Sequence, residues 1–248
     1  MDTEKTYTYD QIEQLKSIVA QSRNMVFFGG AGVSTESGIP DFRSAEGLYN
    51  QNSGKSYPPE QILSATFFRT NTPDFFDFYR SKMLYPQAKP NAAHYKLAEW
   101  EREGRLSAVI TQIIDGLHQA AGSKNVFELH GSVWRNHCTR CGKSYPLEDI
   151  LNCNGVPRCS CGGVIKPDVV LYEEPLDGAV LHGAINALRA ADTLIVAGTS
   201  LNVYPAAGLI DYFGGKKLIV INKSRLNVGG LSDILAIQGP VGEVLSKV

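Results

Sequence analysis

The sequence predicts an α/β protein: a mostly parallel sheet with helices on both faces, joined to a small cysteine-bearing and helical module. Three observations predict it. Short apolar runs alternate with amphipathic helical stretches, as a parallel sheet covered on both sides requires. Gly30, Thr111, His130, Gly198 and Asn222 each stand just past one of those runs, and ligands of such sheets bind beyond the carboxyl ends of the strands. All five cysteines fall between Cys138 and Cys161.

The elements follow in order. Asp10 is placed to cap a helix whose Ile12, Leu15, Ile18 and Val19 recur at helical spacing. Residues 25–28 form a buried strand that runs into Gly29-Gly30, and the glycine-rich stretch after it is expected to open a helix. From about residue 44 to 90, Pro58, Pro59, Pro73, Pro86 and Pro90 break the chain into short helices. Phe67, Phe68, Phe75, Phe76, Phe78 and Tyr79 supply their core. Ala92–Arg102 is an amphipathic helix with Ala93, Leu97 and Trp100 on one side. Strands are expected at 106–110 and 126–129, the second ending at His130-Gly131. Beyond the cysteine segment come 169–172, a helix at Gly178–Ala190, a strand at Thr193–Ala197, a helix near 206–213, a strand at 218–221 and a last helix near 241–247.

The chain has 248 residues, enough for one large domain, or one large and one small. With 43% hydrophobic and 20% charged residues it has the composition of a globular protein. Its 24 basic and 25 acidic residues leave a formal charge of −1, without the basic excess of a nucleic-acid binder. No run approaches the ~18 apolar residues of a membrane span. The opening MDTEKTYTYD lacks the basic and apolar regions of a secretory signal. The expectation is a cytoplasmic protein with reduced thiols, no membrane or nucleic-acid partner, and no feature demanding more than a monomer.

Three constellations carry chemistry. In the first, Gly29-Gly30-Ala31-Gly32-Val33-Ser34 follows a strand. Such a turn lets the backbone approach a pyrophosphate, or it is simply tight. The third glycine of a dinucleotide fingerprint would fall at Thr35. Asp41, Phe42 and Arg43 follow closely and could hold a ribose and a ring, or form a capped loop. In the second, Cys138 and Cys141 have zinc-knuckle spacing, and after 17 intervening residues Cys159 and Cys161 form a shorter pair. Four thiolates close a tetrahedral, structural Zn²⁺ shell. Cys153 is left over, and His137 is an alternative ligand. The third is the set of strand-end polar groups: Gln112 and Asp115, His130, Gly198-Thr199-Ser200 and Asn222-Lys223-Ser224. A neutral His130 at the sheet edge could serve as a general base.

Together these residues resemble the sirtuins, the NAD-dependent protein-lysine deacylases, of the bacterial type with structural zinc. The likeness runs from about Gln11 to Leu245. Its carriers are GAGVSTESGIPDFR at 30–43, TQIIDGLHQAAG at 111–122, LHG at 129–131, the cysteine pairs, KPDVV at 166–170 and GTSLNVYPAA at 198–207. It implies a discontinuous Rossmann-like NAD domain (1–40, 91–132 and 166–248), a cofactor loop and helical part (41–90), and a zinc ribbon (133–165). It further implies that Gly30, Ala31, Gly32 and Thr35 meet the NAD phosphates and sugar, and that Asp41, Phe42 and Arg43 line the cofactor loop. Gln112 and Asp115 fall at the ribose and nicotinamide pocket, Gly198, Thr199, Ser200, Asn222, Lys223 and Ser224 at the adenosine half. The substrate peptide would add as a strand between Val169, Val170, Leu171, Tyr172 and Leu201, Asn202, Val203. The implied reaction joins the acyl-lysine amide oxygen to C1′ of the nicotinamide ribose as nicotinamide leaves. His130 then helps deprotonate a ribose hydroxyl, giving free lysine and O-acyl-ADP-ribose.

The chain departs from the family pattern at Ile113, where the family reads T-Q-N-I-D. Isoleucine has neither the donor nor the acceptor of asparagine, so the alternative expectation is a weakened enzyme that binds NAD and acyl peptide. Asn202 stands in a usual GTSLVV, and Glu173 where glycine is usual, adding negative charge near the substrate groove. Desuccinylating relatives hold a carboxylate with a Tyr-x-x-Arg pair. Here those places carry Phe76 and Tyr79, and Pro40-Asp41 is retained, so a neutral acyl group, acetyl or longer, is expected.

Overall fold

The computed structural model describes residues 7–41, 47, 57–201, 204–224 and 234–248. Six strands form an all-parallel sheet: β1 (Met25–Gly29), β2 (Leu106–Thr111), β3 (Val126–Glu128), β7 (Thr193–Ala197), β8 (Lys217–Asn222) and β9 (Ile234–Gln238). Their order is β3-β2-β1-β7-β8-β9. The chain builds outward from β1 in one direction and, later, from β7 in the other. The reversal between β1 and β7 is the switch point where open sheets of this kind leave a crevice.

The sheet is apolar on both faces because both are covered. All five residues of β1 and of β7 are buried. Met25 and Phe27 pack on one side with Leu15 and Val19 of α1 (Tyr9–Gln21), Leu97 of α5 (Ala92–Arg102) and Val244 of α9 (Val241–Leu245). Val26 and Phe28 face the other way, against Ala184 and Leu188 of α8 (Gly178–Ala190) and Leu209 of a 3₁₀ segment, Ala206–Tyr212. Adjacent strand residues serving opposite cores is the period-two rule of a strand.

Two local expectations are corrected. Thr8, not Asp10, caps α1: its hydroxyl accepts from the Gln11 N–H at 3.2 Å, and the Gln11 carboxamide accepts from the Thr8 N–H at 2.8 Å. This reciprocal box satisfies two end donors at once, and Asp10 stands within the first turn. The glycine-rich stretch opens no α-helix. It makes two 3₁₀ turns, Ala31–Val33 and Thr35–Ser37, with Gly38 left-handed at φ 80°.

The second sheet is antiparallel, with β4 (Gly131–Cys138) between β5 (Ser144–Tyr145) and β6 (Ile165–Val169). It shares one core with α2 (Pro59–Ile62), α3 (Ala65–Thr70), α4 (Thr72–Phe78) and α7 (Leu147–Leu151). A π turn, Tyr79–Met83, continues α4. As expected, the rings are core. Phe75 meets Phe68 edge-on at 5.0 Å and Phe76 edge-on at 5.3 Å, the arrangement aromatic quadrupoles favour. Cys138, Cys159, Ile150 and Val169 lie in the same cluster. Ribbon and short helices therefore stabilise one another although they are distant in sequence.

Behind the large sheet, α6 (Leu117–Ala121) packs on α5 through two fully buried imidazoles. The His94 and His118 rings are 4.8 Å apart, and His118 also faces Phe27. His94 Nδ1 accepts the Asn91 N–H that caps α5. Burial pushes His94 down to about 4 and His118 to about 3, the neighbouring His94 adding to the latter. Both are neutral in the folded chain, whereas the unfolded chain protonates them near pH 6.5. A depressed histidine pKa means that acid favours the unfolded state, so stability is lost as pH falls below 6.5 and the loss is complete near the folded pKa values. The expected slope is about 1.4 kcal/mol per pH unit per histidine. Urea unfolding of the wild type and of His118→Gln between pH 6.5 and 4.5 checks this. The variant's slope should be shallower by about one proton.

Candidate active site

The cleft begins where two loops meet at the carboxyl ends of β1 and β7. The Gly30 N–H donates to Ala197 O at 3.0 Å, and the Gly32 N–H to Gly198 O at 2.7 Å. A Cβ on Gly30 would fall 2.6 Å from Thr199 Cβ, and one on Gly32 2.8 Å from Gly198 Cα. Gly198 itself sits at φ 59°, with no room for a side chain against Val33. These glycines are required by loop-on-loop contact, and together they leave a surface of bare backbone.

Two clamps hold this loop. Ser34 Oγ donates to Asp115 Oδ2 at 2.6 Å, and Asn91 Nδ2 donates to Val33 O at 2.8 Å and to Ser37 Oγ at 3.0 Å. Asp115 Oδ1 also accepts the Leu117 N–H at 2.9 Å. Burial raises the Asp115 carboxyl above the usual range, with the bonds from Ser34 and Leu117 working against it.

His130 follows β3. Its Nδ1 lies 2.8 Å from the Gln112 carbonyl. A carbonyl only accepts, so in the neutral ring Nδ1 carries the proton and Nε2 keeps the lone pair. Burial lowers the His130 pKa, partly offset by the bond to Gln112. Beyond it, Gly131 is left-handed at φ 75°, and a Cβ there would collide with the Asp168 carbonyl. That glycine serves the crossing from sheet to ribbon.

From β6 the chain continues as a strap across the cleft. The Val170 N–H donates to His130 O, the Tyr172 N–H to Leu63 O and the Ala65 N–H to Tyr172 O, at 3.0, 3.0 and 2.9 Å. The strap thereby joins His130, the ribbon and α3. Glu173 is exposed in the cleft lining, and its carboxylate accepts the Thr66 N–H at 2.9 Å in the first turn of α3, which holds it charged.

The cleft has a volume of about 650 Å³. Ala31, Gly32, Thr35 and Asp41 line it beside Gln112, Asp115 and His130. Gly198, Thr199, Ser200, Asn222, Lys223 and Ser224 line the far end, and Val169, Val170, Leu171 and Tyr172 form the strap wall. Gly30 lies beneath it, against Thr199. Leu201 packs on the large-domain core at φ 54°. Phe42, Arg43, Asn202 and Val203 lie outside the described residues. Phe76 and Tyr79 are fully buried in the ribbon-side core. Sequence reasoning missed Ser34 as a partner of Asp115, although it stands in the glycine motif. It also missed Trp134, whose Nε1–H donates to Asp115 O at 2.7 Å, and no sequence signal marks it. Ile113 lines the cleft half-buried and outside all three core clusters.

The Sγ atoms of Cys138, Cys141, Cys159 and Cys161 all lie within 4.8 Å of one another. The pairs Cys138–Cys161 and Cys141–Cys159 stand 3.4 and 3.6 Å apart, too far for disulfides and suited to one tetrahedral thiolate shell. His137 is not part of this group, and Cys153 Sγ lies against the Asn154 carbonyl.

A doubly covered parallel sheet with glycine loops at its switch point, a fixed histidine and a four-cysteine ribbon defines a nucleotide-binding α/β protein with a structural metal module. The Sir2 family model matches residues 30–205, and the chain belongs to that family, the sirtuins. A protein of Clostridium acetobutylicum named NAD-dependent protein deacetylase is 59% identical over 241 residues, 96% of this chain and 98% of the relative. One of the same name from Clostridium perfringens is 58% identical over 241 residues, with the same coverage. A solved Sir2 enzyme, studied for mechanism and regulation, is 41% identical with a TM-score of 0.86, covering 97% of this chain and 96% of its own. A Sir2–p53 peptide–NAD+ complex is 38% identical with a TM-score of 0.82, covering 94% and 95%.

The donor set leads to a prediction about metal. Purified protein should carry about one zinc per chain by elemental analysis. Cys141→Ser should lose it and lower the Tm by about 10 °C or more, because ribbon and helices share a core.

Proposed function

We infer that the chain is an NAD-dependent protein-lysine deacetylase. The observation that carries this reading is His130: its Nδ1–H is fixed on the Gln112 carbonyl, and it lines the same cleft as the glycine loops and the strap. The fit to NAD rests on the bare backbone at Gly32 and Gly198 and on Gln112 Nε2, a buried donor with no protein partner. Bound NAD supplies an electrophilic ribose carbon and a leaving nicotinamide.

The residues of the chain do the rest. Gly30, Ala31, Gly32 and Thr35 receive phosphates and sugar, with Asp41, Phe42 and Arg43 on the cofactor loop. Gln112 and Asp115 form the polar wall near the nicotinamide end, and Gly198, Thr199, Ser200, Asn222, Lys223 and Ser224 take the adenosine end. Val169 to Tyr172 on one side, and Leu201, Asn202 and Val203 on the other, bracket an acyl-lysine peptide by strand addition. His130 Nε2 accepts a proton from a ribose hydroxyl. Zn²⁺ on Cys138, Cys141, Cys159 and Cys161 holds the ribbon and takes no part in the chemistry. The domain division is 1–40, 91–132 and 166–248 for NAD, 41–90 for loop and helices, and 133–165 for the ribbon. The acyl group is neutral: Tyr79 supplies no guanidinium, and it lies in the core. Among the described residues no helix is long and apolar enough to cross a membrane. A cytoplasmic monomer without nucleic-acid partners fits the near-neutral charge.

Ile113 bears on rate rather than on the reaction. It puts an aliphatic side chain on the cleft wall, and the relatives named deacetylases favour turnover over a bare binder. The test incubates the protein with NAD and an acetyl-lysine peptide and reads products by mass spectrometry. O-acetyl-ADP-ribose and free lysine should appear, and His130→Ala should lower kcat by about 10²–10⁴-fold. NAD binding without any product in the wild type would overturn the reading. Ile113→Asn should raise kcat by roughly tenfold or more at similar NAD affinity, since a preorganised polar contact is worth about 10²–10³ in rate. Because burial lowers the His130 pKa, the base stays neutral on acidification. The acid limb of the kcat/KM profile should therefore lie below pH 6.5.

A further inference from the structure

The strap ends in a residue held in a costly backbone conformation. Glu173 stands at φ 75°, in the left-handed region that favours glycine. Such backbone persists where its surroundings fix it, and it gathers at sites of function. Here the surroundings are plain. The Tyr172 N–H donates to Leu63 O and the Glu174 N–H to Leu171 O, both at 3.0 Å, which fixes the chain on either side. The Glu173 carboxylate then completes the start of α3. The N–H groups of Ala65, Thr66 and Phe67 go to Tyr172 O at 2.9 Å, to Glu173 Oε2 at 2.9 Å and to Ser64 Oγ at 3.1 Å.

That cap accounts for an acceptor at 173 but not for a charge, because a carboxamide oxygen would accept the same bond. The charge faces the cleft. Glu173 is exposed in the cleft lining beside the strap wall. Bonds from the Thr66 side chain and N–H hold its carboxyl below the usual range, and Arg69, outside the lining, adds to them. The other charges of the cleft are spent or balanced. Asp115 is clamped to Ser34. Glu174 is paired with Lys166 at 3.1 Å, and its Oε2 also accepts the Leu171 N–H at 2.8 Å. Asp41 and Lys82 bring one charge of each sign, and Lys223 lies at the far end with Asn222 and Ser224. The strap end of the cleft is therefore negative, and the charge sits at Glu173.

The strap also sets what meets this charge. The Val170 N–H is bonded to the His130 carbonyl, so an acyl-lysine brought to His130 lies level with Val170. Glu173 stands three residues further on, roughly 10 Å of extended chain at ~3.3 Å each. A polypeptide laid along Val169 to Tyr172 thus brings to Glu173 the residue two or three places from its acyl-lysine.

We propose that Glu173 is a specificity residue that selects acyl-lysine sites with a basic side chain two or three positions away, on the flank that runs toward α3. The proposal rests on the deacetylase reading, and its test separates the two. Acetyl-lysine peptides carrying a lysine, a glutamine or a glutamate at one such position, on either flank, are compared on the wild type, Glu173→Gln and Glu173→Lys. On one flank of the wild type, kcat/KM should fall from the lysine to the glutamine to the glutamate peptide by about threefold per step, through KM, the size of an exposed ion pair. The preference should shrink at about 0.5 M salt. Glu173→Gln keeps an acceptor for the Thr66 N–H and should level the three peptides, and Glu173→Lys should reverse their order. A residue that only caps α3 would shift all three alike. Equal values for the three peptides in the wild type, or a preference that survives in Glu173→Gln, would sink the proposal. If the wild type turns over no peptide, the deacetylase reading fails. Fluorescence anisotropy of the same labelled peptides then decides the role of Glu173, since the lysine peptide must still bind more tightly than the glutamate one in a Glu173-dependent manner.

Discussion

The contact between the β1 loop and the β7 loop is the constraint on which the rest depends. Parallel neighbours that end at the same level, Gly29 opposite Ala197, would splay their loops apart if either carried side chains. Glycine at 30, 32 and 198 lets one backbone lie directly on the other. The hydrogen bonds from Gly30 and Gly32 then fix the floor of the cleft. Each remaining wall is positioned against that floor. Asp115 reaches it through Ser34 and Asn91 through Val33 and Ser37. Gln112 is tied to β1 by its N–H on the Gly29 carbonyl.

His130 is the hinge between the two halves. Its ring is oriented by a backbone carbonyl of the large sheet, and its own carbonyl accepts from the strap that leaves the ribbon. Movement of the ribbon therefore reaches His130 through main-chain hydrogen bonds, which are short in range and directional. A structural zinc would thereby bear on the position of His130 without touching the cleft. A zinc ion on the four thiolates would hold Cys138 at the end of β4, and β4 begins one residue beyond His130. The aromatic helices reinforce the same end, since Phe75, Phe76 and Tyr79 share the core of Cys138 and Cys159.

What could be read from the sequence follows from which forces were local. Buried strands such as Thr193–Ala197 and capped amphipathic helices such as Ala92–Arg102 and Gly178–Ala190 declare themselves, because composition and periodicity determine them. β4 does not. Its residues GSVWRNHC carry no alternation, and it is a strand because β5 and β6 pair with it over part of its length. β9 was hidden for a similar reason. Only its Ile237 is fully buried, and pairing to β8 decides it. The five-residue helices α6 and α7 are too short for a periodic signal. In the site, motif residues were visible while their partners were not. Ser34 on Asp115, and Trp134 on the Asp115 carbonyl, are contacts across 81 and 19 residues, and spacing carries no trace of them.

Ile113 shows how the cleft can tolerate a departure at its wall. The segment 112–115 alternates its duties. Gln112 gives its carbonyl to His130, Ile114 turns toward the ribbon core, and Asp115 turns to Ser34. The backbone of Ile113 is fixed independently of its side chain, by its N–H on Thr111 Oγ1 at 3.0 Å, and the Ile114 carbonyl accepts the Val133 N–H. Neither the base nor the clamp on the glycine loop runs through the side chain at 113. The substitution therefore removes one carboxamide from the cleft wall and leaves the geometry around it held by main-chain bonds. The neighbouring Gln112 Nε2, buried and without a protein partner, keeps a donor in the same segment. An isoleucine at this place changes what the wall can hydrogen-bond, not where the wall stands.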